Sequence, residues 1–559
     1  EEITIETPPK KELGDFCFGP FLLSKNLGKN PALIVNELKN KLQINSNFLE
    51  ITTAGPYLNL KLSYNFYTDI FLNENIKIPN IGNGRTVIVD YIGTNIGKAM
   101  HIGHMCPSNQ GQVTCNLYRL LGYNVIGDSH LGDWGIIFGK LILAYKLWGD
   151  EEKLKQNAVD YLQSLYIKIT QETEKNTDLE EKIRQEFKKL SLGDKQSIKL
   201  WELFTKYSLE NVQIQNDRLG VKSTYDIGES FYEGIGLPKL GDYPDLEYKM
   251  SDIIKELIQK GIATQNDDGS VGVIFDEKTK LPSVMVAKRD GTHGYFASDL
   301  TAIKYRMLNW NPEKIIYHTD IRQELHFCQA FEVAKTANWL GETKLVHAPN
   351  GFISLKDGAM SSRKGNIIKL SDLLDEAKSR AKKIILEKRD DLSENEIDEI
   401  SEIIGIGSIK YGYLSKSRNI DMVFDWDEFM SFEGNSFPYV AYTYVRGLRI
   451  LEKSNISLNE IQNYKNTQNF SSFDEIDLFK EISALNEILL LVYENIMAHN
   501  LVNYAYTLAK KFSAFYNNES ILNEENFDKK ILKLKLINKY IEIQKIIFQI
   551  LAIKLPNKM

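Results

Sequence analysis

The chain has 559 residues, of which 43% are hydrophobic and 26% charged, so it can form several domains of about 150 residues each. It contains no uncharged apolar run of about 18 residues and no basic leader, which argues against a membrane span and against export, so we expect a cytoplasmic protein. Its four scattered cysteines argue against a disulfide framework and against a zinc site. Its net charge of −7 requires any nucleic-acid surface to be built from segregated basic residues.

The pattern over residues 1–80 predicts short alternating strands and one helix, 31–42. An apolar run at 86–92 predicts a buried strand, and the apolar periodicity of 105–121 predicts a helix. A second strand is expected at 123–129. These last three elements predict a strand–helix–strand unit.

A long segment rich in Lys and Glu, 151–216, predicts helices with solvated faces. Strand-like runs return at 272–275, 284–287 and 314–318, and after about Ser371 only helical patterns remain. This order is typical of an α/β nucleotide-binding fold whose two halves are separated by a helical insertion.

The segment His101-Ile102-Gly103-His104 lies at the predicted start of the first helix of that fold, after a glycine-containing loop, 93–98. The first N–H groups of a helix have no intrahelical partner, and the helix dipole favours an anion there. The two imidazoles share one face of the first turn, and Gly103 leaves room for a flat ring. With Lys98 as a mobile positive charge, the segment predicts a nucleoside triphosphate site. The plain alternative is a helix start with two surface histidines.

A second polar loop, 354–366, contains Ser, Gly and three cations between two short apolar pairs. Such a loop can close over phosphates and neutralise the charge that develops during phosphoryl chemistry. Taken alone, it would be an ordinary basic surface loop.

Together, the two segments resemble the paired HIGH and KMSKS motifs of class I aminoacyl-tRNA synthetases. The flanking sequences resemble the arginyl-tRNA synthetase family in particular, and the resemblance extends over nearly the whole chain. The matching segments are Val89–Lys98, His130–Gly139, Tyr295–Asp299, Gln323–His326 and Ser431–Tyr439.

The resemblance implies a multidomain α/β protein with a Rossmann-type catalytic core. We expect a small α+β N-terminal domain that contacts tRNA at 1–80. The catalytic domain is expected at 81–370, with a helical insertion at about 146–270. A helical connector at 371–410 and an all-α anticodon-binding domain at 411–559 complete the expected order.

The resemblance also implies which residues bind arginine. Asp90, Tyr295 and Asp299 are expected to hold the cationic groups of the amino acid, with Asn95 and Gln323 as neutral hydrogen-bonding partners. A guanidinium group prefers carboxylates in bidentate geometry and flat neighbours, so these residue types suit it. Each residue has a plainer interpretation: Asp90 could cap a loop, and Tyr295 could belong to the core.

For catalysis, the resemblance implies roles for Lys98, His101 and His104, with ATP bound as its Mg²⁺ complex and no metal held by the protein. The expected ATP-binding residues are His101, Gly103, His104, Met360, Ser361, Ser362, Arg363 and Lys364. The chain departs from the family where Gly93 and Thr94 replace the Ser and Pro of many members, and where the 359–363 loop lacks both motif lysines.

Residues Tyr439, Tyr442, Arg446 and Arg449 are spaced to share one helix face, and we expect them to bind tRNA. Aromatic rings and arginines suit single-stranded RNA, although an aromatic packing stripe gives the same pattern. The last helix, about 530–551, has lysines opposite an apolar face that could face RNA.

The sequence thus predicts an arginine–tRNA ligase that acts as a monomer on L-arginine, ATP and tRNA(Arg). Two alternatives remain open. One is a non-catalytic RNA-binding protein on a synthetase scaffold, which the intact His101 and His104 argue against. The other is a small-molecule adenylate-forming ligase of the HIGH type, which the long helical C-terminal part argues against.

Overall fold

The computed structural model describes residues 4–42, 47–73, 77–289, 291–355 and 368–559. The chain forms two compact units. The first unit comprises Glu1–Lys77, Tyr442–Glu487 and Ala505–Gln544, and the second comprises Ile78–Ala441, Ile488–Tyr504 and Lys545–Met559.

The strands are short, between three and eight residues. In chain order they are β1 (Phe16–Phe18), β2 (Phe48–Ala54), β3 (Tyr57–Leu62), β4 (Thr86–Asp90), β5 (Asn124–Leu131), β6 (Tyr225–Gly228), β7 (Ala263–Gln265), β8 (Val271–Val273), β9 (Val284–Ala287), β10 (Lys314–Tyr317), β11 (Lys344–His347), β12 (Ile353–Leu355) and β13 (Met422–Phe424).

The helices dominate the chain. In order they are α1 (Phe21–Leu27), α2 (Pro31–Lys41), α3 (Tyr64–Asn73), α4 (Ile102–Leu120), α5 (Ile136–Trp148), α6 (Glu151–Gln156), α7 (Ala158–Lys175), α8 (Asp178–Ser191), α9 (Lys195–Leu219), α10 (Glu229–Glu233), α11 (Met250–Gln259), α12 (Tyr295–Trp310), α13 (Glu324–Thr336), α14 (Leu370–Lys388), α15 (Glu394–Leu414), α16 (Trp426–Phe429), α17 (Phe437–Lys453), α18 (Leu458–Asn463), α19 (Phe473–Ser483), α20 (Leu485–Asn495), α21 (Ala498–Asn518) and α22 (Phe527–Ile550).

The second unit contains a parallel sheet of five strands in the order β11-β10-β4-β5-β6. The apolar run Val87–Val89 is fully buried, as expected for a strand covered on both faces. Helix α4 connects β4 to β5, so the predicted strand–helix–strand unit is confirmed. Because all five strands are parallel, their carboxyl ends lie at one edge of the sheet, where such folds bind ligands.

Several sequence-based expectations about this unit are wrong. Strand β6 lies inside the range 146–270 that was expected to be a helical insertion, yet it pairs with β5 in the main sheet. The strands predicted at 272–275 and 284–287 are present as β8 and β9, but they belong to a separate antiparallel sheet with the order β7-β8-β9 and not to the parallel sheet. After Ser371 the chain is not purely helical, since β13 pairs with β12. Strands β6 and β13, which were not predicted, have four and three residues, too few for alternation to define them.

The helical segment α6–α9 has its own core, to which α5 contributes. Phe138, Leu162, Trp201 and Phe204 are buried in it. The indole N–H of Trp201 donates to the carbonyl oxygen of Asp133 at 2.9 Å, which ties this core to the end of β5.

The first unit begins with the antiparallel sheet β1-β3-β2. Its N-terminal part contains three helices rather than the single one expected, since α1 and α3 accompany α2. Helix α3 is rich in Tyr, Phe and Thr, residue types that favour strands, and only its packing reveals it as a helix. Tyr67 of α3 packs edge-to-face on Phe479 of α19.

The C-terminal helices of the first unit have an apolar interior. The rings of Phe512 and Tyr540 stack at 4.1 Å. Lys533, expected on a solvent-facing side of the last helix, is instead buried and forms ion pairs of 3.0 Å with Glu519 and Glu524. Throughout the described ranges, every helix is too short or too polar to cross a membrane.

Candidate functional site

A cavity of about 1010 Å³ opens at the carboxyl edge of the parallel sheet in the second unit. The cavity is lined by eight of the residues that the sequence predicts to bind ATP or arginine: Asp90, Asn95, His101, Gly103, His104, Tyr295, Asp299 and Gln323. The structure therefore brings together residues that lie more than 200 positions apart in the chain.

The histidine pair forms the start of α4. His101 is the N-cap, and its Nδ1 accepts the backbone N–H of Gly103 at 3.1 Å. The Nδ1 atom of His104 accepts the backbone N–H of His101 at the same distance. The two rings stack with their centroids 3.8 Å apart. Because each Nδ1 is an acceptor, each ring must hold its proton on Nε2, and Nε2–H remains as the available donor.

Both imidazoles are kept neutral by their surroundings. Burial, His101 and Lys98 lower the pKa of His104 to about 3. Burial and Lys98 also lower the pKa of His101 below its ordinary value. The pair therefore offers hydrogen-bond donors, but no positive charge, to a bound anion.

The backbone of this turn does not behave as expected from the sequence. The N–H of Ile102 donates to the carbonyl oxygen of Ile368, and that of His104 donates to the carbonyl oxygen of His101. The amides predicted to face phosphate are thus already engaged within the protein. Gly103 is needed by the histidine itself, because a Cβ there would lie 2.9 Å from Cε1 of His101.

Another part of the cavity lining, the acidic wall, contains carboxyl groups. Asp299 lies one turn into α12, and Tyr295 lies at the start of that helix with 66% of its surface exposed. The interpretation of Tyr295 as a core residue is therefore wrong. Gln323 lies just before α13. Asn95 lies beside Gly132, and a Cβ atom added to Gly132 would be 2.3 Å from the side-chain oxygen of Asn95.

Glu229, at the start of α10, also lines this wall and was not predicted from sequence. It is 8% exposed, and burial together with Asp299 and Asp133 raises its pKa well above the ordinary value. A cation placed here would stabilise the ionised form of the carboxyl group. The sequence signal was available in principle, since Glu229 directly follows β6, but that strand was not recognised.

Asp90 has a partner inside the protein. Its Oδ2 accepts from the guanidinium of Arg306 at 2.6 Å, and the same guanidinium donates to Asp128. Arg306 is fully buried, and although burial disfavours its charge, Asp128 and Asp90 raise its pKa above the ordinary value. Asp90 is thus fixed in the floor of the cavity by an internal guanidinium, rather than capping a loop.

Three further histidines also line the cavity: His130, His318 and His326. His326 Nε2 lies 2.6 Å from Oδ2 of Asp299. Nε2 of His318 lies 2.9 Å from the hydroxyl of Thr114, which leaves this buried ring facing the protein interior. His130 and His326 lie in two of the segments on which the family resemblance rests, but nothing in the sequence indicated their contact with Asp299.

Lys98, which was predicted to act in catalysis, is not part of the cavity lining. Lys98 is half-buried, and its ammonium group lies over the ring of Tyr166 at 4.9 Å from the centroid. The residues Met360, Ser361, Ser362, Arg363 and Lys364 lie outside the described part of the chain.

The predicted tRNA-binding residues all lie on α17. Tyr442 is 45% exposed, and Arg446 donates to its hydroxyl at 2.9 Å. The guanidinium of Arg446 also stacks between the rings of Tyr442 and Tyr516, 4.7 Å from each centroid. Arg449 pairs with Glu452, and Tyr439 is half-buried.

Among the residues that the structure describes, no group of three or more His, Cys, Asp or Glu side chains could hold a metal ion.

Comparisons with known proteins agree with this geometry. A family model described as the catalytic domain of class I (R) tRNA synthetases matches residues 67–426, more than half of the chain. Two further models, a DALR anticodon-binding domain and an arginyl-tRNA synthetase N-terminal domain, match residues 440–559 and 1–62. The fold is therefore that of a class I aminoacyl-tRNA synthetase.

Individual relatives show which family of class I synthetases the chain belongs to. The chain is 37% identical to the arginine–tRNA ligases of Fusobacterium nucleatum subsp. nucleatum and Clostridium perfringens over its whole length, covering 95% and 96% of those proteins. The arginyl-tRNA synthetase structure from Plasmodium falciparum superposes with a TM-score of 0.79 at 25% identity, with 100% and 95% coverage. The Thermus thermophilus structure shares the fold, with a TM-score of 0.78 at 20% identity and coverage of 100% and 96%. The chain belongs to the arginyl-tRNA synthetase family, and the resemblance found in its sequence is confirmed.

Proposed function

We propose that the cavity of the second unit forms arginyl-adenylate from L-arginine and ATP and transfers the arginyl group to tRNA. The chain is an arginine–tRNA ligase. The arginine carboxylate attacks the α-phosphate of ATP and pyrophosphate leaves. A terminal ribose hydroxyl of tRNA(Arg) then attacks the arginyl carbonyl and AMP leaves. The observation that supports this best is one cavity with neutral imidazole donors at one wall and buried carboxyl groups at the other.

The acidic wall suits the arginine side chain. We assign the guanidinium to Asp299 and Glu229, because two carboxylates can share its five donors. Tyr295 supplies a flat, exposed ring beside them, and Asn95 and Gln323 supply neutral hydrogen-bonding groups. Asp90, held by Arg306, contributes negative charge to the floor of the cavity and leaves fewer lone pairs for the substrate than was expected from the sequence.

The histidine wall suits the phosphates. The Nε2–H groups of His101 and His104 donate to phosphate oxygens, and these contacts strengthen as negative charge builds in the transition state. Positive charge must come from elsewhere, and we assign it to Mg²⁺ bound with ATP, to Lys98 and to the loop Met360–Lys364. No general base is needed, because positioning and electrostatics account for most of phosphoryl transfer.

We assign tRNA binding to Tyr439, Tyr442, Arg446 and Arg449, within an anticodon-binding domain at 411–559. The N-terminal domain at 1–80 is a second tRNA contact, and 371–410 joins the catalytic domain at 81–370 to the C-terminal domain. Since four scattered cysteines suit a reducing compartment, we propose that the enzyme acts in the cytoplasm, as a monomer.

A charging assay with total tRNA and each of the twenty labelled amino acids tests the proposed function. We expect label in acid-precipitable tRNA with arginine and ATP only. Charging by another amino acid, or no charging by a folded preparation, would contradict it.

A further inference from the structure

Asp299 is contacted by two imidazoles. His326 of α13 lies with Nε2 at 2.6 Å from Oδ2, and His130 of β5 lies with Nε2 at 3.7 Å from Oδ1. The Nε2 of His130 is also 3.4 Å from the hydroxyl of Ser298, so this contact with Asp299 is the weaker one. The strong, short contact belongs to His326.

The ring of His326 is held in place by packing. Phe296, which precedes Asp299 on α12 by three residues, meets the imidazole edge-to-face with centroids 5.4 Å apart. Phe327 makes a second edge contact at the same distance. Both phenylalanines are buried, whereas the His326 side chain is 28% exposed. The ring therefore has little freedom to turn away from the carboxylate.

A carboxylate with one oxygen bound to a fixed donor has a defined orientation and retains its other lone pairs for a ligand. Burial acts to raise the pKa of Asp299, yet the hydrogen bond from His326 and the nearby His130 outweigh burial and lower it below the ordinary value. The histidines thus keep the carboxyl group both ionised and oriented.

We propose that His326 is a positioning residue that sets arginine affinity by holding Asp299 in the orientation that receives the guanidinium group. This inference rests on the proposed function, since Asp299 must be the arginine ligand. If His326 acts through Asp299, its loss should change arginine binding and leave the chemical step intact.

The test compares His326→Leu with His326→Gln in steady-state charging. The leucine removes the donor, whereas the amide nitrogen of glutamine can occupy the place of Nε2. We expect His326→Leu to raise the KM for arginine by about tenfold or more, with kcat and the KM for ATP within about twofold of wild type. His326→Gln should restore most of the arginine affinity.

His293→Leu is the matched control. His293 makes a similar contact of 2.8 Å to the carboxylate of Glu233 in the same unit, but neither residue lines the cavity. We expect the KM for arginine of this control variant to be unchanged.

If His326→Leu does not fold, the KM for arginine is compared between His326→Gln and His326→Asn instead, because asparagine is too short to reach Asp299. Equal losses in that pair would overturn the proposal, and loss only in the asparagine variant would support it.

A double variant separates this inference from the function on which it rests. If His326 acts through Asp299, adding His326→Leu to Asp299→Asn should cause no further loss. Additive losses would overturn the positioning role, as would an unchanged KM in His326→Leu, while leaving Asp299 as the ligand. An unchanged arginine KM in Asp299→Asn alone would instead overturn the assignment of Asp299 itself.

Discussion

The two walls of the cavity are built on opposite electrostatic principles. At the start of α4, burial and Lys98 keep His101 and His104 neutral, so the wall that we assign to the phosphates has donors without charge. At the start of α10 and on α12, carboxyl groups are buried close together, with Glu229 and Asp299 on one wall. The comparison shows that the acidic wall contributes carboxyl groups, whereas the histidine pair contributes hydrogen-bond donors without charge.

This difference has a chemical reason. Arginine keeps its guanidinium charge throughout the reaction, so a permanent counter-charge binds it in every state. The phosphates change their charge distribution along the reaction, and donors that strengthen only at the transition state accelerate it, whereas uniformly tight binding does not.

The largest effect is expected at the acidic wall. Asp299→Asn removes a counter-charge from a buried cation, a loss that typically costs about 3–5 kcal/mol. We therefore expect kcat/KM for arginine to fall more than about a hundredfold, with the fold intact by circular dichroism. Normal charging by this variant would remove Asp299 from the site.

Substitutions in the histidine wall should lower kcat and leave ATP binding nearly unchanged. His104→Ala is expected to lower kcat by about 10²–10³ with little change in the KM for ATP. Because the pKa of His104 is about 3, the ratio of wild-type to variant kcat should be the same at pH 6 and pH 8. A ratio that falls as pH rises would show that a charged imidazole is required.

Glu229 gives the acidic wall a pH dependence that the histidine wall lacks. Burial, Asp299 and Asp133 raise its pKa, and we propose that arginine binds the ionised form, so protons should compete with arginine. The KM for arginine should therefore fall as pH rises from 6 to 8, measured at saturating ATP. In Glu229→Gln the KM should be about tenfold higher and its pH dependence weaker. An identical pH slope in both proteins would contradict the assignment.

The smallest effect is expected outside the cavity, on α17. Arg446→Ala should weaken tRNA binding modestly and reduce the slope of log affinity against log salt by about 1, if the guanidinium contacts a phosphate. Filter binding at several salt concentrations measures this. Arg184→Ala, a surface arginine paired with Glu180 and Glu181, is the control and should leave the slope unchanged.

The sequence allowed the α/β fold and the histidine wall to be predicted because their signals are local. His101, Gly103 and His104 are contiguous, and β4 is a continuous apolar run. The acidic wall was only partly predictable. Glu229 follows a strand of only four residues, Tyr225–Gly228, which no periodicity could identify.

Contacts between residues far apart in the chain could not be predicted from the sequence either. Arg306 lies in the interior of α12 and reaches Asp90 across 216 positions, and His326 reaches Asp299 from another helix. The engagement of the first-turn amides of α4 depends on Ile368, far along the chain. Sequence pattern gives residue types and faces, whereas these contacts depend on how the helices pack against the sheet.

The contrast between the walls is tested most directly by citrulline, which has the length of arginine but a neutral ureido group. The measurement is inhibition of arginine charging by citrulline in the wild-type enzyme. If fixed carboxylates select a cation, citrulline should not compete even at about a hundredfold excess over the KM for arginine. Competitive inhibition with a constant close to that KM would show that shape, rather than charge, defines the acidic wall, and would contradict the account.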